Sequence, residues 1–203
     1  MDKKTNRYVT GIALVAALGG LLFGFDTVVI SGAEQTIQEY FRLNDVQHGF
    51  TMSIALIGTL FGALLAAKPA DALGRRKILI IIAILYGLSA IGSAVASNWT
   101  GFLIYRLIGG LGVGASSVIG PMYISEIAPA KIRGRLVASF QVNIVVGKVL
   151  SYISNYLIAQ NIEVDPWRFM LGAEVIPAIL FLSLLFFIPD SPRWLVMKDK
   201  AVK

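Results

Sequence analysis

YVTGIALVAALGGLLFGFDTVVI, from Tyr8 to Ile30, is an almost wholly apolar stretch that holds one ionisable side chain, Asp26. As a helix rising about 1.5 Å per residue, it is long enough to cross the roughly 30 Å hydrocarbon core of a bilayer. Five further stretches read the same way: approximately Gly49 to Ala67, Ile78 to Ala96, Gly101 to Tyr123, Leu136 to Ala159 and Phe169 to Ile188. The first has too long an apolar part for a cleavable signal, and no small-residue cleavage site precedes a soluble domain, so it is expected to stay in the mature protein.

Composition agrees with a membrane class. Hydrophobic residues make up 56% of the 203, and the mean hydropathy of +0.73 is above what a soluble domain of this size carries. The absence of cysteine rules out a disulfide framework and a thiolate metal site. The net charge of +6 does not indicate nucleic acid, because the basic residues are spread over short loops and form no basic face.

Those residues set topology instead. Lys3, Lys4 and Arg7, then Lys68 to Lys77, then Lys131 to Arg135, and finally Arg193 to Lys203 all fall on one side. Of the 18 Lys and Arg, only Arg42 and Arg168 lie opposite, with Arg106 and Lys148 inside spans. Both termini are therefore expected to be cytoplasmic.

Four ionisable residues fall within spans: Asp26, Arg106, Lys148 and Glu174. Such charges are costly in hydrocarbon, so they line cavities, pair with one another or mark transport paths. Counted from the outer ends of their spans, Asp26, Arg106 and Glu174 reach a similar depth. An arginine keeps its charge while a carboxylate can take a proton, so Asp26 and Glu174 can compete for Arg106. That is the chemistry of a proton-coupled carrier; the alternative is a static ion network that only fixes packing. Lys148, seven residues after Gln141, shares its helix face, and the four charges together sum to zero.

Gly20/Gly24, Gly58/Gly62 and Gly110/Gly114 are small residues four apart, a spacing that lets helices approach closely. The run from Gly109 to Gly114 superficially resembles a dinucleotide loop, yet it lies inside an unbroken apolar span and not between a strand and a helix. It echoes Gly19 to Gly24 at an offset of 90 residues. Three helices inverted onto three would produce such an echo.

The loops carry the more specific pattern. Asp71-Ala72-Leu73-Gly74-Arg75-Arg76-Lys77 follows the second span; Tyr123, Glu126, Pro129 and Arg133-Gly134 mark the fourth span and its loop; Pro189-Asp190-Ser191-Pro192-Arg193-Trp194-Leu195 follows the sixth. With Gly19 to Asp26 in the first span, the chain closely resembles the sugar porter family of the major facilitator superfamily, in particular its proton-linked xylose and facilitative glucose carriers. The resemblance covers essentially the whole chain.

It implies an all-α fold: a single six-helix transmembrane domain over residues 1–203, one major-facilitator half of 3+3 inverted repeats, with residues 190–203 as a cytoplasmic tail. It implies a multi-pass protein of the plasma (cell inner) membrane that moves a monosaccharide by alternating access and needs no cofactor. Asp26, Arg106 and Glu174 match its proton-coupling positions. Phe23 and Gln141 match residues that line the sugar cavity, and Lys148 lies in or near it. Asp71, Arg75, Glu126, Arg133 and Arg193 match cytoplasmic gate positions, with Asp71/Arg133 and Glu126/Arg193 as expected pairs. Partly desolvated pairs of this kind can bias a rocking equilibrium; the alternative is solvated loop charges that only set topology.

Three residues depart from the family pattern: Ala67 stands for a glycine, Ala72 for a basic residue and Lys148 for an uncharged one. Lys148 is expected to pair with a carboxylate, to favour an unusual substrate or to disable transport. The family has twelve helices, and this sequence matches the first six. A second copy or a complementary six-helix half is therefore the expected partner, since parallel halves related by an axis along the membrane normal keep the correct orientation. The alternatives are an excised or engineered half without activity alone and a membrane sugar-binding or assembly subunit. An enzyme is disfavoured, because the single histidine, His48, lies in an outer loop and no nucleophile–base set can be assembled.

Overall fold

Six hydropathic stretches become nine helices among the described residues. The computed structural model describes residues 3–198; Lys200 and Lys203, counted above among the tail charges, lie outside them. The helices are α1 (Lys3–Phe41), α2 (Asp45–Leu65), α3 (Ala67–Leu73), α4 (Arg75–Val95), α5 (Trp99–Ile127), α6 (Arg133–Asn161), α7 (Pro166–Gly172), α8 (Val175–Leu185) and α9 (Pro192–Met197). Helices α1, α2, α4, α5 and α6, and α7 with α8 taken together, give six stretches long and apolar enough to cross a membrane. The expected all-α, six-span architecture is the observed one.

Local chemistry sets several helix starts. Asn44 caps α2 in a capping box, its side chain accepting from the Gln47 amide while the Gln47 side chain accepts from the Asn44 amide. Asn98 caps α5 through the Gly101 amide. Ser191 caps α9, with Pro192 following at its first turn.

Two boundaries differ from the sequence reading. Helix α1 does not stop near Ile30 but runs on to Phe41, because Ala33 and Ile37, one turn apart, are buried with Phe102 and Trp167 in an apolar cluster beyond the span. The sixth span is not one helix: it breaks at Ala173 and Glu174, between α7 and α8. Pro177 explains the break, since it has no N–H to donate to the carbonyl of Ala173. The Ala173 carbonyl instead accepts from Ile176 at 3.2 Å. Within the expected tail, residues 190–198 are held against the helices. The buried Trp194 of α9 donates its Nε1–H to the Asp71 carbonyl at 3.0 Å.

Helix α1 packs most extensively on α6, and α2 on α5. Both contacts are made through glycines against backbone. A Cβ at Gly20, Gly24 or Gly147 would overlap the carbonyl oxygen of Phe140, Ile144 or Leu21, respectively. A Cβ at Gly110, Gly114 or Gly62 would overlap that of Ala55, Thr59 or Leu111. These two sets of contacts correspond residue by residue, α1 to α5 at an offset of 90 and α2 to α6 at an offset of 85. The faint echo in the sequence is thus part of an internal correspondence that covers two helix pairs, as expected of the 3+3 arrangement of a major-facilitator half.

Candidate functional site

Asp26 of α1 and Arg106 of α5 meet in one buried layer. Both are 3% exposed, and Arg106 donates from Nη1 to Asp26 Oδ1 at 2.6 Å, with Nη2 to Oδ2 at 3.5 Å. This fork-to-carboxylate geometry is what makes arginine effective in a dry setting. Glycine at position 109 makes room, since a Cβ there would collide with Ser89 Oγ and come within 4.0 Å of Asp26 Oδ1.

Glu174 completes the group. It is 1% exposed and sits at the break between α7 and α8, beside Asp26 and near Arg106, with Oε1 lacking a hydrogen-bond partner. Three formal charges therefore meet in one buried place, two negative and one positive. Such a set is balanced only if a proton resides on one carboxylate or a further donor is recruited. Sequence reading missed Tyr86 of α4, buried beside Asp26, Glu174 and Ser116. The signal available was its spacing from Ser89 and Ser93, which puts the three on one face of an otherwise apolar span.

Lys148 does not join this set. It is exposed on α6, and among the described residues no carboxylate lies within ion-pair distance of it. The expected neutral foursome is thus corrected to a triad plus a separate cation. Sharing a face with Gln141 fixed Lys148 relative to its own helix but not relative to the bundle. Gln141 is also exposed on α6, while Phe23 of α1 is half-buried against the core.

The loop charges form a different pattern from the expected pairs. Arg75 is the hub: its Nη2 lies 2.9 Å from Asp71 and 3.1 Å from Glu126, and its Nη1 donates to the Ala70 carbonyl at 3.1 Å. Its side chain is 5% exposed and that of Glu126 4%, whereas Asp71 is 67% exposed. Arg133 donates to the Ala128 carbonyl, where it caps the C-terminal end of α5, and is not paired with Asp71. Arg193 is exposed beside Asp71 and Arg75, and among the described residues it has no ion pair with Glu126. Arg76 donates to the carbonyls of Leu185 and Phe186, which ties α4 to the end of α8. Gly74, at φ 97°, joins α3 to α4, and a Cβ there would press on Asp190 and Trp194.

Comparison with known proteins gives this geometry its setting. Residues 12–203 match the family model described as "Sugar (and other) transporter". The D-xylose-proton symporter of Escherichia coli K12 is 42% identical over 95% of this chain and 46% of its own length. The glucose transport protein of Synechocystis is 43% identical over 97% of this chain and 44% of its own. The chain thus spans a little under half the length of the curated relatives it matches. The solved xylose symporter XylE, described as a major facilitator superfamily protein bound to 6-bromo-6-deoxy-D-glucose, superposes with a TM-score of 0.92 at 41% identity, covering 96% of this chain and 48% of that one. Its inward-open form superposes with a TM-score of 0.88, over 95% of this chain and 51% of that one. These relatives are transporters, not enzymes, and a match of this extent, carried by six membrane-length helices with an internal repeat, places the chain as a multi-pass membrane protein that belongs to the sugar transporter family of the major facilitator superfamily.

Proposed function

We propose that this six-helix unit carries a monosaccharide across the membrane by alternating access and couples that movement to protons through Asp26, Arg106 and Glu174. The observation that carries the reading is the buried Arg106–Asp26 pair with a second carboxylate beside it at a helix break. Protonation of one carboxylate leaves the other to hold Arg106, so each protonation state has its own ion-pair geometry. The names of the relatives, a D-xylose-proton symporter and a glucose transport protein, support a sugar as cargo and a proton as its companion.

Sugar recognition falls to Phe23, Gln141 and Lys148. Gln141 and Lys148 lie on the exposed side of α6, where a hydroxylated ligand can be met. The gate is the Arg75 hub with Asp71 and Glu126, near Arg193, and with Arg133 at the end of α5. Both termini and this gate are assigned to the cytoplasmic side by the Lys and Arg distribution.

The spanning windows of α2 and α6 are only 22% and 28% buried, which supports a complementary six-helix unit covering them, either a second copy of this chain or a separate half. Uptake of radiolabelled xylose and glucose into proteoliposomes, with and without a pH gradient, tests the reading. Gradient-driven accumulation is expected. Accumulation that ignores the gradient would remove proton coupling, and no uptake together with no sugar binding would remove the carrier role. Because the chain has no cysteine, single cysteines on α2 and α6 report subunit contacts by crosslinking without background.

A further inference from the structure

Hydroxyl groups within the spans behave in two ways. Thr51, Ser53, Thr59, Ser117 and Ser139 donate to the carbonyl three or four residues back, the usual way a helix absorbs a hydroxyl in apolar surroundings. The buried Ser89, Ser93 and Ser116 and the Tyr86 hydroxyl donate to no such carbonyl; Ser89 and Ser93 have no hydrogen-bond partner, and Tyr86 and Ser116 have only each other to turn to. Buried polar groups are satisfied almost without exception, by protein or by ordered water, and what sets these four apart from the equally buried, unpartnered Ser151 of α6 is that they gather around the carboxylates.

Their placement says what. Tyr86, Ser89 and Ser93 lie on one face of α4, three and then four residues apart. Tyr86 is beside Asp26, Glu174 and Ser116, and Ser89 flanks the same backbone position as Asp26, at Gly109. Ser93 is one turn beyond, next to Ala94, whose carbonyl accepts from the part-exposed Arg168 at 2.7 Å. The titratable and charged groups facing this row are Asp26 from α1, Arg106 and Tyr105 from α5, the latter packed on Gly92 between Ser89 and Ser93, and Glu174 from the break between α7 and α8, with Arg168 of α7 at the far end.

We infer that Ser93, Ser89 and Tyr86, with Ser116 behind them, line a hydrated proton route from the Arg168 end of α4 to the carboxylates, separate from the exposed α6 face that carries Gln141 and Lys148. A proton enters as hydronium beside Ser93 and passes along water O–H bonds held by the hydroxyls of Ser93 and Ser89. It then protonates Glu174 or Asp26. Each hydroxyl gives and regains a hydrogen bond and stays neutral, so the carboxylate is the final acceptor. These are positioning residues: they hold water and do not keep the proton.

The inference rests on the proton-coupling reading, and the test separates the two. The purified chain is reconstituted in lipid vesicles, and hydrogen–deuterium exchange of the buried carboxyl groups is followed by infrared absorption of their C=O stretch. Glu174→Gln and Asp26→Asn assign the band. Ser89→Ala with Ser93→Ala is expected to slow exchange about tenfold, the change expected when roughly one hydrogen bond is lost from the barrier. Tyr86→Phe is expected to slow it as well. Ser151→Ala, which removes another buried, unpartnered hydroxyl on α6, is expected to leave the rate unchanged. A carboxyl band that Glu174→Gln and Asp26→Asn assign but that exchanges at the unmodified rate in the α4 variants overturns the route alone. A band that survives both carboxylate substitutions overturns the coupling reading and the route with it. Equal slowing by Ser151→Ala would mark a general loosening of the fold and also overturns the route.

Discussion

Arg106 grips Asp26 with one short bond of 2.6 Å and one long one of 3.5 Å, and its Nε is left without a partner. The pair is therefore tight on one side only, and Glu174 stands next to it. Removing one partner of a buried ion pair costs about 3–5 kcal/mol when the other is stranded. Asp26→Asn leaves Arg106 with Glu174 to turn to, whereas Arg106→Gln strands two carboxylates together. The expected order of destabilisation, read from thermal unfolding in detergent, is Arg106→Gln well above Asp26→Asn. In proteoliposomes Asp26→Asn is expected to abolish gradient-driven net uptake while sugar exchange persists.

The internal repeat makes a packing prediction. Gly62 against Leu111 and Gly147 against Leu21 are the same contact in two copies. Gly62→Ala and Gly147→Ala should each cost about 1–3 kcal/mol, the range for forcing extra atoms into a packed site, and by similar amounts. Gly87 in α4 has nothing within 4 Å of a Cβ, so Gly87→Ala should instead stabilise by about 0.5–1 kcal/mol through helix propensity. Unfolding of the three variants in one detergent checks the contrast; a cost at Gly87 equal to the others would contradict it.

At the gate, burial ranks the two carboxylates on Arg75. Glu126 is almost fully enclosed, while Asp71 is largely in solvent. Glu126→Gln should cost about 1.5–3 kcal/mol, because it removes the enclosed charge-assisted bond and leaves Arg75 only the solvated Asp71 as a counter-ion. Asp71→Asn should cost less than about 1 kcal/mol, as for an exposed pair. The functional counterpart is access: a single cysteine placed near Arg75 should label faster in Glu126→Gln and at the original rate in Asp71→Asn. Equal labelling in all three would leave Arg75 a topology signal only.

What the sequence could and could not disclose follows from which quantities are local. Helix rise is fixed, so counting residues from the span ends put Asp26, Arg106 and Glu174 at one depth, and the structure has them together. The break at Ala173 and Glu174 escaped a hydropathy window, because a window averages over Pro177, the residue that causes it. The pairing at the gate escaped for another reason: its three basic and two acidic positions share one end, and only the fold decides that Arg75 reaches both acids while Arg133 turns back to Ala128. The length of α1 escaped because Ala33 and Ile37 are apolar for a contact with Phe102 and Trp167, and such partners are distant in sequence.

Lys148 is the residue on which sequence and structure part most clearly. Of its three expected roles, pairing with a carboxylate, favouring an unusual substrate or disabling transport, the first is not seen among the described residues: Lys148 lies exposed on α6, where its long stem can carry the ammonium away from the core. With no partner to lose, Lys148→Gln should change stability by less than about 0.5 kcal/mol. If the exposed α6 face meets the sugar, the same substitution should alter sugar affinity and weaken its dependence on ionic strength, because an exposed charge is screened over a Debye length of about 8–10 Å. Sugar binding by isothermal titration at two salt concentrations, set beside thermal unfolding, separates these effects. Altered affinity with unaltered stability places Lys148 at the binding surface. An unaltered affinity at both salt concentrations removes it, and leaves Phe23 and Gln141 to carry recognition alone.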